Sequence, residues 1–398
     1  MTSAAGAHPS LTIMLVAGEP SGDQLGAELM GGLAALGRSG GPHVRVIGVG
    51  GAAMERAGLK SLFPLDDTSV MGLREVVPRI PAILRRVREA SDFALREKPD
   101  LVVLIDSPDF THRIAQRLKR RNPAIRTANY APPQVWASRA YRARKMARYM
   151  DAVLTLLPFE VPFFQRYGIE SHFVGNPVVE RAQRMTGGDA FRQRHGIGNE
   201  ATLLAVLPGS RLSEIRFILP AFKGAVAILA RQVPGLVSVI PTVPGVAALV
   251  RDAAVDWPTP AYVVENDDEK YASFDAADAA LAASGTVTTE LALSKTPMVV
   301  GYRVGALTYA IAKQFVDVPY ITLINLILKR EAVPEFIQDL CEPKILAAAL
   351  KPLLTDVAAH AAQVHDLEAA AQLLGEGEES PSLRAARAVL ALASAPRS

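Results

Sequence analysis

Eight short apolar runs, at 12–17, 44–49, 101–105, 152–157, 202–207, 236–240, 279–283 and 298–302, punctuate the chain, each followed by a loop and a stretch of helical period. Runs this short and this apolar, spaced by helix-length intervals, describe parallel strands buried on both faces beneath helices, an α/β fold. The first unit reads LTIMLVAGEPSGDQLGAELM: a strand, a small loop at 18–23, then Leu25, Leu29, Leu33 and Leu36 at helical spacing, with Ser21 or Asp23 available as a cap. The same strand, loop and helix recur from residue 202 in LLAVLPGSRLSEIRFILPAF. The alternation therefore predicts two doubly wound, Rossmann-like domains facing a cleft, divided near VGNPVVERAQRMTGGDAF. The expected ranges are 1–178, 179–350 and an Ala-rich helical C-terminal segment over 351–398. A chain of 398 residues with 49% hydrophobic content can fill two such cores.

Forty-three basic against forty acidic residues leave a net charge of +3, so charge implies no nucleic-acid partner. Cys341 is the single cysteine, which excludes an internal disulfide and a thiolate cluster and fits a reducing compartment. The first eighteen residues carry no Lys or Arg, and the run ending at Gly18 is cut short by Glu19, too early for a secretory segment or a membrane span. The expected location is the cytoplasm. The seven histidines form no H-x-H or H-E-x-x-H pair, D-x-D does not occur, and the G-x-S-x-G spacing at 37–41 follows a helical run instead of joining a strand to a helix. Zinc and serine hydrolase readings drop out, and no metal or cofactor is expected.

In doubly wound sheets, ligands bind beyond the carboxyl ends of the strands, where helix N-termini present N–H groups. The loop at 18–23 lies at such a place, but Glu19 and Asp23 make it a poor phosphate cradle. PGSR at 208–211 is the better anion loop: Gly209 permits close approach, Ser210 brings a hydroxyl, and Arg211 a fixed charge for a diphosphate. In LVVLIDSPDF, Asp106 follows a buried strand at once, with Asp109 three residues on; such a carboxylate serves either as a helix cap or, with a raised pKa, as a base. Ser284, Gly285 and Thr286 join a strand to a helix whose first turns hold Glu290, a candidate for the two hydroxyls of a ribose or else a surface glutamate favoured by the helix dipole. Gly48, Gly50 and Ala53 follow the second strand in G-x-G-x-x-A spacing, with Asp66 and Asp67 beyond, a nicotinamide-cofactor signal or a tight structural turn. The short helix after it favours the turn. Across 70–88, apolar residues including Met71, Leu73, Val76 and Ile80 are interleaved with five arginines, as in a segment that lies on an anionic membrane or takes an acyl chain, or in an ordinary core helix with solvated arginines.

AGEPSGDQLGAELM, VMGLREV, LIDSPDF, LLPFE, LPGSRLSEI, SGTVTTELAL, PMVVGYR and ITLINL, in this order over most of the chain, resemble lipid-A-disaccharide synthase, a bacterial glycosyltransferase family. The resemblance implies a B-type glycosyltransferase fold, with an N-terminal domain for acceptor and membrane contact and a C-terminal domain for the UDP-sugar. It implies inverting, metal-independent transfer of 2,3-diacylglucosamine from UDP-2,3-diacylglucosamine to the 6-hydroxyl of 2,3-diacylglucosamine 1-phosphate, and peripheral attachment to an anionic inner-membrane surface. Glu19, Asp106, Arg211, Glu290 and Asn325 match positions the family uses in its active site. With them go Ser21, Asp109, Gly209, Ser210 and 284–286 as substrate contacts, and Met71, Leu73, Val76 and Ile80 as membrane or acyl contacts. APPQVWASR departs from the family's usual SPSVWAWR but keeps Trp136 and Arg139. The oligomeric state is left open, a homodimer included. The rival readings are a dinucleotide-dependent oxidoreductase, which would need Gly48 and Gly50 at a pyrophosphate, and a non-catalytic lipid-binding protein.

Overall fold

The computed structural model describes residues 10–67, 73–137, 141–305, 309 and 318–396, with side chains from residue 80 onward in the long helix that begins at Leu73. Among the described residues, twelve strands form two parallel sheets. In the first, β1 (Leu11–Ala17), β2 (Val44–Val49), β3 (Leu101–Ile105), β4 (Thr127–Tyr130), β5 (Ala152–Thr155) and β6 (Glu170–Phe173) lie in the order β2-β1-β3-β4-β5-β6. In the second, β7 (Thr202–Leu207), β8 (Leu236–Pro241), β9 (Ala261–Val264), β10 (Ala279–Ala282), β11 (Met298–Tyr302) and β12 (Glu335–Ile337) lie in the order β12-β11-β10-β7-β8-β9. Strand order reverses beside β1 in one sheet and beside β7 in the other. Those are the switch points where a doubly wound sheet opens a ligand crevice.

The central strands are apolar because helices cover them on both sides: β3 is buried at every residue, and Ile13, Leu15 and Val103 share one core while Met14, Val16 and Val102 share another. The second sheet packs Leu204, Val206 and Leu281 against Ile218, Phe222 and Leu346. The four strands not anticipated as apolar runs are only three or four residues long, and all but AYVV over Ala261–Val264 are mixed, such as TANY over Thr127–Tyr130 and EFI over Glu335–Ile337. Their pairing partners, rather than their own pattern, hold them in the sheet.

The chain divides into two compact units, residues 1–177 with 377–398, and residues 178–376. The segment 351–398 is therefore not one piece. Pro343–Thr355 and Val357–Leu374 belong to the second unit, whereas Pro381–Ser394 returns to the first. That last helix lies along Pro20–Arg38, with Ala385, Ala386, Val389 and Leu392 in the core that holds Leu25, Leu29 and Leu33. Gly32 makes the approach possible, since a Cβ there would stand 2.5 Å from the Ser382 carbonyl oxygen. Arg126 donates to the Leu392 carbonyl at 2.7 Å and Arg384 to that of Phe173 at 3.0 Å, fixing both ends of the returning helix.

No single helix among the described residues is long and apolar enough to cross a membrane. The pair Pro343–Thr355 and Val357–Leu374 passes that test only jointly and is bent by 96°. Leu346, Leu350 and Leu353 of the first helix are committed to the second core.

Candidate active site

In the first unit, the ends of β1 and β3 bring three acidic side chains together. The β3 strand ends in a turn in which Asp106 (φ +50°) and Ser107 (φ +42°) are both left-handed, a conformation that costs a non-glycine residue roughly 1–2 kcal/mol each. Two successive departures of this kind mark a site whose geometry outweighs local preference. The turn is braced by Thr111, whose hydroxyl donates to the Asp106 and Ser107 carbonyls at 2.7 and 3.0 Å. It aims the Asp106 carboxylate at the β1 loop, where Ser21 Oγ donates to Oδ2 at 2.9 Å while the Ser107 amide donates to Oδ1 at 2.8 Å. Glu19 accepts from the Ser107 side chain, and its carboxyl lies above the ordinary range. Burial is the main cause, repulsion by Asp106 adds to it, the Ser107 bond opposes it, and Asp109 adds a little more. The carboxyl raised here is thus that of Glu19. Asp109 is exposed in the first turn of Pro108–Arg121.

Asp23 does not cap its own helix. It is buried, and its carboxylate accepts from the amides of Gly51, Ala53 and Met54 at 2.7, 2.9 and 3.0 Å. Those are the N–H groups a dinucleotide's pyrophosphate would need. Gly48 is likewise structural, since at φ +136° a Cβ would fall 1.9 Å from the Leu15 carbonyl oxygen. The G-x-G-x-x-A run is a turn sealed by a carboxylate, and the oxidoreductase reading loses its phosphate site.

In the second unit, a recess of about 310 Å³ opens at the ends of β7 and β10, and its walls include Gly209, Ser210, Arg211, Lys270, 284–286 and Glu290. One expectation needs correction. The amides of Ser210 and Arg211 are not open to an anion, because Glu214 accepts from both at 3.0 and 3.2 Å. Gly209, at φ +114°, gives this carboxylate room: a Cβ would meet Glu214 Oε2 at 2.6 Å. The open N-terminus is that of Thr286–Leu293, where Gly285 is the N-cap and no side chain caps the helix. Arg211 reaches Glu214 Oε1 at 3.2 Å, but its side chain stays 68% exposed and free to turn toward a ligand. Ser284 Oγ donates to the Ile321 carbonyl at 3.3 Å.

Glu290 is not a surface residue: it is 5% exposed, paired with Lys270 Nζ at 2.7 Å, and within 3.5 Å of the Tyr271 hydroxyl. Burial and the Glu290 charge push Tyr271 up to about 12. Lys270 carried no signal in the sequence, because its pairing joins two helices twenty residues apart. Thr242, at the end of β8, lines the same recess with a buried hydroxyl that has no hydrogen-bond partner.

Asn325, matched to an active-site position by resemblance, is fully buried. Its Oδ1 accepts from Ala332 and Val333 amides, and its Nδ2 donates to the Val333 carbonyl and to Glu335. It therefore holds the entry to β12 and does not line the recess. Met71 and Arg139 lie outside the described residues, and the side chains of Leu73 and Val76 are likewise not described. Ile80 is 44% exposed and Leu84, one turn on, 37%, whereas Val87, Ala90 and Ala94 enter the core. Among the described residues, no group of three His, Cys, Asp or Glu is placed to hold a metal ion.

A family profile described as lipid-A-disaccharide synthetase matches residues 13–389. The lipid-A-disaccharide synthase of Rhodospirillum centenum is 47% identical over 380 residues, covering 96% of this chain and 94% of its own. That of Paramagnetospirillum magneticum is 46% identical over 382 residues, covering 96% and 97%. Among solved structures, the UDP-GlcNAc 2-epimerase from Neisseria meningitidis bound to UDP-GlcNAc superposes with a TM-score of 0.59 at 12% identity, covering 96% of this chain and 99% of that one. MurG of Acinetobacter baumannii gives 0.55 at 14% identity, covering 96% and 99%. At such identities the structural likeness speaks for the fold alone, that of the B-type glycosyltransferases and related epimerases.

Proposed function

Because this chain belongs to the lipid-A-disaccharide synthase family, we propose that its first unit activates the acceptor hydroxyl and its second holds the UDP-sugar. The family's reaction is the chain's activity: a diacylglucosamine passes from its UDP derivative to the 6-hydroxyl of 2,3-diacylglucosamine 1-phosphate, giving the lipid A disaccharide 1-phosphate and UDP. The substrates are a UDP-sugar and a lipid acceptor.

Asp106 takes the proton of the 6-hydroxyl as O6 attacks the anomeric carbon and the bond from that carbon to the UDP oxygen breaks. This single displacement inverts the centre. Ser21 and the Ser107 amide hold the carboxylate in orientation, and a proton delivered to Asp106 relieves its repulsion with Glu19. The growing charge on the leaving diphosphate is met by Arg211 and the uncapped N-terminus of Thr286–Leu293, with no metal required. Glu290, fixed by Lys270, accepts from the ribose hydroxyls. Ile80 and Leu84, flanked by the exposed Arg85 and Arg88, rest on the anionic inner-membrane surface that supplies both lipids.

The observation that carries this reading is a strained, doubly hydrogen-bonded carboxylate at the switch point of the first unit; the uncapped helix N-terminus in the second unit supports it separately. Mass spectrometry of the product from the two purified lipid substrates tests it. A disaccharide 1-phosphate with release of one UDP is expected; UDP release without a disaccharide would show hydrolysis instead.

A further inference from the structure

One helical turn beyond Asp106, the first unit contains a second recess, of about 360 Å³, that the proton transfer does not use. Pro108 and Asp109 form the wall nearest the catalytic turn, and the far wall comes from the helix Tyr141–Met146. Three cations line it: Arg113, Arg142 and Lys145. No ion pair among the described residues engages any of them; Arg113 uses its Nε on the Asp109 carbonyl at 2.8 Å. The only carboxylate in the lining is that of Asp109, so three positive charges face one negative.

The floor is buried and polar. His112 Nε2 lies 3.1 Å from Asn129 Oδ1, His112 Nδ1 lies 3.3 Å from the Tyr149 hydroxyl, and Asn129 Nδ2 donates to the Leu104 carbonyl at 2.8 Å. Burial holds His112 down to about 4. It is neutral near pH 7, and the positive charge of the recess belongs to the two arginines and the lysine. A concave, polar site with clustered and unpaired cations is built for a compact anion.

We propose that this recess is the subsite for the acceptor's 1-phosphate, held by Arg113, Arg142 and Lys145. The inference rests on the reading that the first unit takes the acceptor sugar. With O6 at Asp106, the ring lies across Pro108 and Asp109, whose exposed carboxylate can accept from ring hydroxyls. Arg113 follows Pro108 by five residues, about 7–8 Å along the helix axis, which places the cations one sugar away from the base. A phosphomonoester carries roughly −1.5 to −2 charge at pH 7, which matches the excess of two cations. A phospholipid headgroup offers related chemistry, but a flat bilayer surface would not reach the His112–Tyr149 floor, so the acceptor's own phosphate is the better occupant.

The test compares kcat/KM for 2,3-diacylglucosamine 1-phosphate and for its dephosphorylated counterpart in detergent micelles. The native chain should favour the phosphorylated acceptor strongly. Arg142→Ala with Lys145→Ala should lower kcat/KM for that acceptor roughly 30- to 1000-fold, mainly through KM, and bring the ratio of the two acceptors toward one. Arg142→Lys with Lys145→Arg should restore most of the ratio. Both cations are exposed, so the melting temperature should hold. An equal loss with both acceptors would overturn the proposal. So would an unchanged ratio accompanied by weaker sedimentation with phosphatidylglycerol vesicles, which would make these residues a headgroup contact. If the native chain forms no disaccharide from either acceptor, the acceptor reading itself fails; if it does and the variant keeps the ratio, only the phosphate subsite fails.

Discussion

Asp106 and Glu19 lie close enough to repel one another but are held differently, and the proposal that Asp106 is the base rests on that difference. Both oxygens of Asp106 meet a donor, which fixes its direction, whereas Glu19 is driven upward by burial and by Asp106 itself. Asp106→Asn keeps the shape and removes the basicity. Turnover should fall about 10²- to 10⁴-fold, while calorimetry should show UDP affinity unchanged, since the proposed UDP site lies in the other unit. The same substitution removes one cause of the Glu19 shift, so the Glu19 carboxyl, followed by carbon NMR, should titrate lower than in the native chain. A variant with near-native turnover would pass the base role to Glu19. Much of this was legible in the sequence, because a carboxylate directly after five apolar residues has few places to go. The use of Asp23 was not: its three amide partners lie about thirty residues away, and nothing local distinguishes it from a helix cap.

Short elements show where local pattern stops being informative. The loop at 208–211 reads as an anion cradle, yet Glu214 fills it; a capping acid three residues into a helix is the available clue. The helix Glu160–Gln165 begins with a glutamate 2% exposed that accepts from Trp136 Nε1 at 2.9 Å and from the Leu156 and Leu157 amides. Burial raises it to about 7 against the pull of these donors. Its folded-state pKa exceeds the unfolded value, so its favourable contribution is complete below pH 4.5 and is lost as pH rises through about 7. That amounts to roughly 3 kcal/mol as an order of magnitude. In urea titrations, Glu160→Gln should be the less stable chain at pH 5, for want of a matched acceptor, and should close that gap by pH 8. A gap independent of pH would refute the assignment. At the start of the long helix, Ile80 and Leu84 stand one turn apart and exposed. Replacing both with Ser should weaken sedimentation with anionic vesicles and leave the melting temperature nearly unchanged; a large drop would place them in the core, where each truncation costs about 2–5 kcal/mol.

Eight of the twelve described strands follow from the apolar runs and the intervals between them, because parallel strands buried on both faces read as short apolar runs; the other four depend on the partners they pair with. The path of the chain between the units does not follow, since whether an Ala-rich helix joins one core or another depends on surfaces that exist only after folding. Pro381–Ser394 completes the first unit from the far end of the sequence. Without it, the Leu25, Leu29 and Leu33 face of Pro20–Arg38 loses Ala385, Ala386, Val389 and Leu392. Burial of four such side chains contributes several kcal/mol, a large fraction of the stability of one domain. A chain ending at Glu376 should therefore lose the first unit's unfolding transition, or show it at a much lower temperature. It should still bind UDP, because Arg211, Lys270, 284–286 and Glu290 all lie within residues 178–376. Gly32→Val provides the milder form of the test: its side chain would strike the Ser382 carbonyl, pushing the returning helix outward without removing any of it. Scanning calorimetry of both chains, with and without UDP, reads the two units separately. Equal shifts in both transitions would mean that the returning helix supports the whole molecule rather than the first unit.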